Sequence, residues 1–216
     1  VGTDVLKEVV RNIRNEIIRL GGEVLFNTKF NDIKTVDGVV QSIEVISEGK
    51  SRWIDTQVLI LAPGHSARDT FEMLYTHQIP MTQKAFAIGV RMEHPQTMVN
   101  LSQYGIAKDD ILPAADYKLT YETTKGRHVY TFCMCPGGYV VNASSEAGMT
   151  AVNGMSYHDR GSANANSAVI VNVTPEDFAS DHPLAGVEFQ RKWEKACYEA
   201  AGGQPLIPVQ LFKDFK

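Results

Sequence analysis

Residues 57–62, Gln-Val-Leu-Ile-Leu-Ala, constrain the fold more than any other stretch of the chain. The apolar side chains follow one another without the polar–apolar alternation of a half-exposed strand. Such a run suits a strand covered on both faces, as in a parallel sheet. Pro63-Gly64 ends it, since proline withdraws a ladder donor and glycine accepts the turn.

What precedes this run is of a different kind. Over residues 4–20, Val5, Val9, Ile13 and Ile17 recur every four residues, with Leu6, Val10 and Ile18 on a neighbouring stripe, which predicts an amphipathic helix. Thr3 or Asp4 can cap it, and Gly21-Gly22 stops it. Residues 23–27, 30–36 and 39–47 then read as strands, the last with Val40, Ile43 and Val45 at its apolar positions. Asp37-Gly38 and Glu48-Gly49-Lys50 mark tight turns, so a β-meander reaching Trp53 is expected. Beyond the apolar run, Ser66 or Asp69 can cap a helix carrying Phe71, Met73, Leu74 and Tyr75.

The texture changes after Pro80. Residues 85–91, 117–123, 128–134, 139–143 and 168–173 read as strands, 96–104 as a short helix or turn, and 188–201 as a closing helix burying Phe189, Trp193, Ala196 and Cys197. The expectation is a mixed α+β or α/β fold with two domains. Residues 1–80 would form a partial domain of helix, β-meander and buried strand. Residues 81–216 would form a mostly antiparallel sheet with peripheral helices.

Composition narrows the function. A net charge of −4 gives no electrostatic footprint for nucleic acid. No window of apolar residues is long enough for a membrane span, and no signal peptide is visible. Three cysteines, Cys133, Cys135 and Cys197, are too few for a disulfide scaffold in 216 residues, so a reducing, cytoplasmic setting is expected. Both ends read as cut, with Val1 in place of a methionine and the pattern at 211–216 broken off.

Three sets of residues carry a resemblance. Residues 58–68, Val-Leu-Ile-Leu-Ala-Pro-Gly-His-Ser-Ala-Arg, resemble the second FAD-contacting strand of glutathione-reductase-type flavoproteins. Residues 126–138 and 152–160, together with 174–178 and 181–190, resemble a family of FAD-dependent dehydrogenases of unassigned substrate. The resemblance covers nearly the whole chain. It implies FAD in a longer protein, hydride transfer at the flavin, a small-molecule substrate, and a nicotinamide nucleotide or other electron carrier as partner. It also implies main-chain cofactor contacts at Phe30, at Ala62, Pro63 and Gly64, and at Gly137 and Gly138, with Lys29 flanking the first. No metal and no particular acid or base is implied. The family's Gly-x-Gly-x-x-Gly unit, which seats a pyrophosphate on a helix N-terminus, has no counterpart among the glycines here, so the isolated chain is expected to hold no FAD. Residues 1–80 would then be part of an FAD-binding domain, and 81–216 a substrate domain capping the flavin.

Several motifs have competing readings. Cys133-Met-Cys135-Pro-Gly-Gly138 is either a turn facing the flavin, a thiol redox pair, or two small residues pointing the same way on a strand. The spacing is wrong for dithiol exchange, and wrong for zinc bound by both cysteines with His128 or His158. Gly64-His65-Ser66-Ala67-Arg68 resembles a nucleophile elbow, but Arg68 stands where a second glycine belongs, which makes a serine hydrolase the weaker enzyme reading. Asn153-Gly154 and residues 161–166 read as loops, either lining a cavity or merely solvated; His158, Asp159 and Arg160 could supply acid–base or anion-binding groups beside them. Arg91 could grip a substrate carboxylate bidentately, but pairing with Glu93 or another acid is the preferred expectation. A different class of function is a non-catalytic recognition or interaction module.

Overall fold

The computed structural model describes residues 2–108 and 110–215. It is a mixed α+β structure with antiparallel sheets, as the patterning predicts. The chain divides into two compact units, one of Ile13–Thr82 and the other of the remaining described residues.

Helix α1, Thr3–Arg19, follows the four-residue apolar repeat, and Glu8–Arg11 and Glu16–Arg19 pair along its surface. It buries none of its residues; Leu6, Val10, Ile13 and Ile17 are exposed. The smaller unit holds a three-stranded meander of β1 (Thr28–Val36), β2 (Val39–Ser47) and β3 (Lys50–Asp55) in the order β1-β2-β3. Asp37-Gly38 and Glu48-Gly49 both have positive φ at their two central residues, the primed turn that matches strand twist. Ile33 and Val45 form the buried centre of this sheet. Helix α2, Arg68–Thr76, packs on β1 and is tied to it by Lys29–Asp69 at 2.6 Å and by the His77–Asp32 pair.

Three expectations fail in this unit. Residues 57–62 are not a strand, and Val58 and Ile60 are 77% and 86% exposed. A doubly covered strand needs neighbours on both edges, and no described strand pairs with this run. Residues 23–27 are also not a strand: the chain turns at Phe26-Asn27, with Asn27 at φ 51°, before β1 begins. Finally, α2 is entered through Ala67, without a side-chain cap from Ser66 or Asp69; Asp69 instead accepts the Thr70 N–H.

The larger unit is built on β4 (Phe86–Pro95), followed by α3 (Gln96–Tyr104), β5 (Thr120–Glu122), β6 (His128–Cys135), β7 (Gly138–Asn142), β8 (Val152–Ser156), β9 (Asn164–Val173) and α4 (Ala185–Ala200). The main sheet has the order β4-β9-β6-β5, antiparallel throughout, and β7–β8 is a separate hairpin. Asn153 and Gly154, expected in a loop, lie inside β8, and residues 164–166 lie inside the central strand β9. Ladder pairing on both sides of β9 overrides the turn preference of Asn and Ser. One core cluster joins Val99, Ala115 and Ala165 with Tyr117 and Met134; a second joins Val173, Phe178 and Ala185 with Phe86, Ile88 and Phe189. Helix α4 buries less than its pattern predicts, for Trp193 is 49% exposed and Ala196 is exposed as well. No helix among the described residues is long and apolar enough to cross a membrane.

The 3-10 turn Pro175–Asp177 fastens the end of β9. Asp177 accepts the Thr174 N–H and is gripped by the Arg127 guanidinium, which holds its carboxyl at about 2. A folded-state value below the unfolded one, near 3.8, means that the pairing stabilises fully above the unfolded value and is lost as pH falls through the folded one. Asp177→Asn should therefore melt below the parent chain at pH 7, with the gap closing between about pH 4 and pH 2. Thermal melts of both proteins across that range check the prediction.

Candidate functional site

A polar cluster lies where β4, β9, β6 and the β7–β8 hairpin meet. Strand pairing sets Glu93 opposite Asn166 and Cys135 opposite Asn166 from the other side. Between Phe132 and Cys135 the register slips by one residue, and Cys133 takes up a left-handed φ of 45°. A bulge of this kind re-aims groups that a regular ladder would hold in the sheet. Here it turns the Cys133 carbonyl to Arg91, which donates to it from Nη2 at 3.0 Å and Nη1 at 3.4 Å. Arg91 Nη1 also donates to Asn166 Oδ1 at 2.7 Å.

Arg91 is therefore not paired with Glu93. The Glu93 carboxylate accepts from Val140 N and from Asn164 Nδ2, both at 2.7 Å, so its oxygens are directed to the hairpin and to β9. Asn166 is fully buried, and its Nδ2 has no partner among the described residues. A Cβ at Gly154 would run into Arg91 Nη1 and Asn166 Oδ1 and stand 2.6 Å from Arg91 Cζ. The guanidinium thus lies against bare backbone, which explains a glycine in the middle of a strand.

The Cys133/Cys135 pair does not point one way as on a regular strand, because the bulge intervenes. Both thiols are free, and Cys135 Sγ donates to the Cys133 carbonyl at 3.3 Å. Burial pushes the Cys135 thiol up, against the pull of Arg91 and Arg160. That is the opposite of the depressed value a reactive thiolate needs. No three His, Cys, Asp or Glu residues converge as a metal-ligand set among the described residues, so Cys133 and Cys135 form no such set with His128 or His158. Ser66 sits in an exposed turn and is hydrogen-bonded to no His or acid among the described residues. His158 is exposed, with its main-chain N–H given to Asp4.

The residues expected to meet FAD fall in both units. Phe30 lies half-buried in β1 opposite Val45. Ala62, Pro63 and Gly64 are exposed, and their main-chain groups have no hydrogen-bond partner among the described residues. Nothing lies within 4 Å of where a Gly64 Cβ would stand, so this backbone is open to a flat ligand. Gly137 and Gly138 are buried instead. The Gly137 N–H is donated to Gln96 Oε1 at 2.8 Å, and a Cβ on either glycine would strike main-chain atoms of Arg160 or Met155. Their need for glycine is met inside the protein. Gln96 escaped notice in the sequence, yet its buried amide joins this turn to Ala115 through a second bond of 2.9 Å. The open main chain at 62–64 leaves room for a flat ligand, and the 216 residues contain no Gly-x-Gly-x-x-Gly. An open depression of about 870 Å³ in the smaller unit, lined by Lys34, Gln41, Asp55 and Thr56 among others, gathers no convergent charged set.

The larger unit is thus an antiparallel sheet flanked by helices, with a half-buried arginine held by a buried amide beside the β7–β8 hairpin. Comparison places it: the sequence model of the family described as "FAD-dependent protein, C-terminal domain-like" matches residues 85–216, and the chain belongs to that family. It is also 55% identical, over 217 aligned residues and its whole length, to a Clostridium beijerinckii protein described as uncharacterised. The chain spans 40% of that relative's length.

Proposed function

We propose that the chain is a segment of an FAD-dependent oxidoreductase. In it, residues 81–216 form a substrate domain capping the flavin and residues 1–80 complete part of the FAD-binding domain. The observation that carries this reading is membership of an FAD-dependent family over 85–216. The flavin would supply hydride chemistry, and the chain's part is to bind, orient and exclude water. Phe30, Ala62, Pro63 and Gly64 would contact the cofactor through main chain, which is open at 62–64, while Gly137 and Gly138 would shape the turn that carries Cys133 and Cys135. A small molecule would be the substrate, with a nicotinamide nucleotide or another electron carrier completing the cycle.

The full-length protein should purify yellow, with a flavin spectrum that substrate bleaches under anaerobic conditions, and the 216-residue chain alone should be colourless. A full-length protein that shows no flavin spectrum after reconstitution with FAD would overturn the reading. Stoichiometric FAD on the short chain would overturn the claim that the pyrophosphate seat lies elsewhere. A non-catalytic recognition module is the second reading, favoured by the internal use of Gly137 and Gly138. It predicts partner or ligand binding by a full-length protein that stays colourless.

A further inference from the structure

We infer that Arg91 is an open docking point for the carboxylate of a small anionic ligand, held on the Nε–Nη2 edge of its guanidinium. The inference comes from counting hydrogens. A guanidinium has five N–H groups in a fixed plane, and the side chain stays charged at every accessible pH. The outer hydrogen of Nη1 goes to Asn166 Oδ1, and the two inner hydrogens of Nη1 and Nη2 share the Cys133 carbonyl across the end of the group. What is left is the Nε hydrogen and the outer Nη2 hydrogen. These two are parallel and lie on one edge, the fork that takes a carboxylate bidentately. No described residue accepts from that edge, and Arg91 Nε is not among the buried polar atoms left without a partner, so Nε meets solvent.

The charge argument agrees. A half-buried arginine is usually neutralised by an acid. Both partners of Arg91 are neutral dipoles, and the acid two residues away is committed to Val140 and Asn164. The exposed Arg160 adds a second positive charge, felt with that of Arg91 at the Cys135 thiol. The fork is also rigid. Gly154 backs it, a fully buried Asn166 holds one end, and a left-handed Cys133 presents the other acceptor. Asn166 holds the arginine through Oδ1 while its own Nδ2 has no partner among the described residues. A pre-set fork loses little freedom on binding. One open edge offers two donors, enough for a planar carboxylate, whereas a phosphate dianion is best held by more donors than that.

The test needs no flavin, so its outcome is separate from that of the oxidoreductase reading. The arginine Nε–H region of the 15N spectrum of the 216-residue chain is followed while sodium acetate replaces sodium chloride at constant ionic strength. The Arg91 signal, identified by its loss in Arg91→Lys, should shift and saturate, with the other arginines unmoved. Lysine keeps the charge but lacks the fork, so acetate binding followed by calorimetry should weaken about tenfold or more, as expected for one lost charge-assisted bond. Gly154→Ala keeps Arg91 and displaces its guanidinium, so it should weaken binding too, and it decides the matter if the lysine variant does not fold. A non-saturating shift shared by all arginines, unchanged binding in Gly154→Ala, or tighter binding of inorganic phosphate than of acetate would each overturn the proposal.

Discussion

Phe178→Ala is expected to cost about 3–5 kcal/mol, the range for removing a buried phenyl ring. Phe178 is 7% exposed and sits between two other rings, stacked on Phe86 at 5.4 Å and tilted against Phe189 at 5.6 Å. Val173 at the end of β9 and Ala185 at the start of α4 close the same cluster. The ring therefore ties together the edge strand β4, the central strand β9 and helix α4. Its neighbours cannot collapse into the gap, because Phe86 and Val173 are fixed opposite each other in the ladder. Ordinary domains are stable by only about 5–15 kcal/mol, so much of the margin would go. Thermal and urea unfolding should show a midpoint lowered by roughly 10 °C, while Phe178→Leu, which keeps most of the volume, should lose far less. A change below about 1 kcal/mol in the alanine variant would mean that the aromatic trio does not act as one of the two cores of this unit.

How much of this was legible in the sequence differs from element to element. The meander was readable because Asp37-Gly38 and Glu48-Gly49 have the chemistry of primed turns and β2 alternates. Helix α3, Gln96–Tyr104, has the bounds read from the sequence and is the helix of the two forms, helix or turn, left open there. The run at 57–62 misleads for a physical reason: an apolar pattern says that a segment is fit to be covered, not that a neighbour in the same chain covers it. The same holds for the apolar stripe of α1 and for Trp193. Strand β8 and the first part of β9, residues 164–167, were hidden by the reverse effect, since Asn153, Gly154, Asn164 and Asn166 carry turn propensity that ladder pairing overrules, whereas 168–173 was readable as a strand. In the candidate site, Arg91 could be singled out as a cation leaving a strand, but its partners could not. Asn166 lies 75 residues away and Cys133 lies 42 away, brought in by a bulge that no local pattern marks.

Gly137→Ala should destabilise the chain with no cofactor present, and this separates two explanations for the glycines after Cys135. If Gly137 were needed only to let a flavin approach, alanine would fold normally and fail only at cofactor binding. The geometry points elsewhere. Gly137 has a left-handed φ of 54°, which costs an L-residue about 1–2 kcal/mol. Its Cβ would collide with the Arg160 carbonyl and stand 2.8 Å from Arg160 Cα, main-chain atoms that cannot swing aside as a side-chain tip can. Relief means moving the β6–β7 turn or the segment after β8, an overpacking cost of about 1–3 kcal/mol. Either movement also stretches the buried bond from the Gly137 N–H to Gln96, whose amide holds Ala115 and the start of α3. Losing about 2–5 kcal/mol in all, the variant should melt well below the parent in the absence of FAD. Equal melting temperatures would return Gly137 to the role of a ligand-facing glycine and would make the Arg160 contact incidental. A lowered one would make the turn a structural clamp, which keeps the Cys133 carbonyl, and with it the Arg91 fork, where the fold has set them.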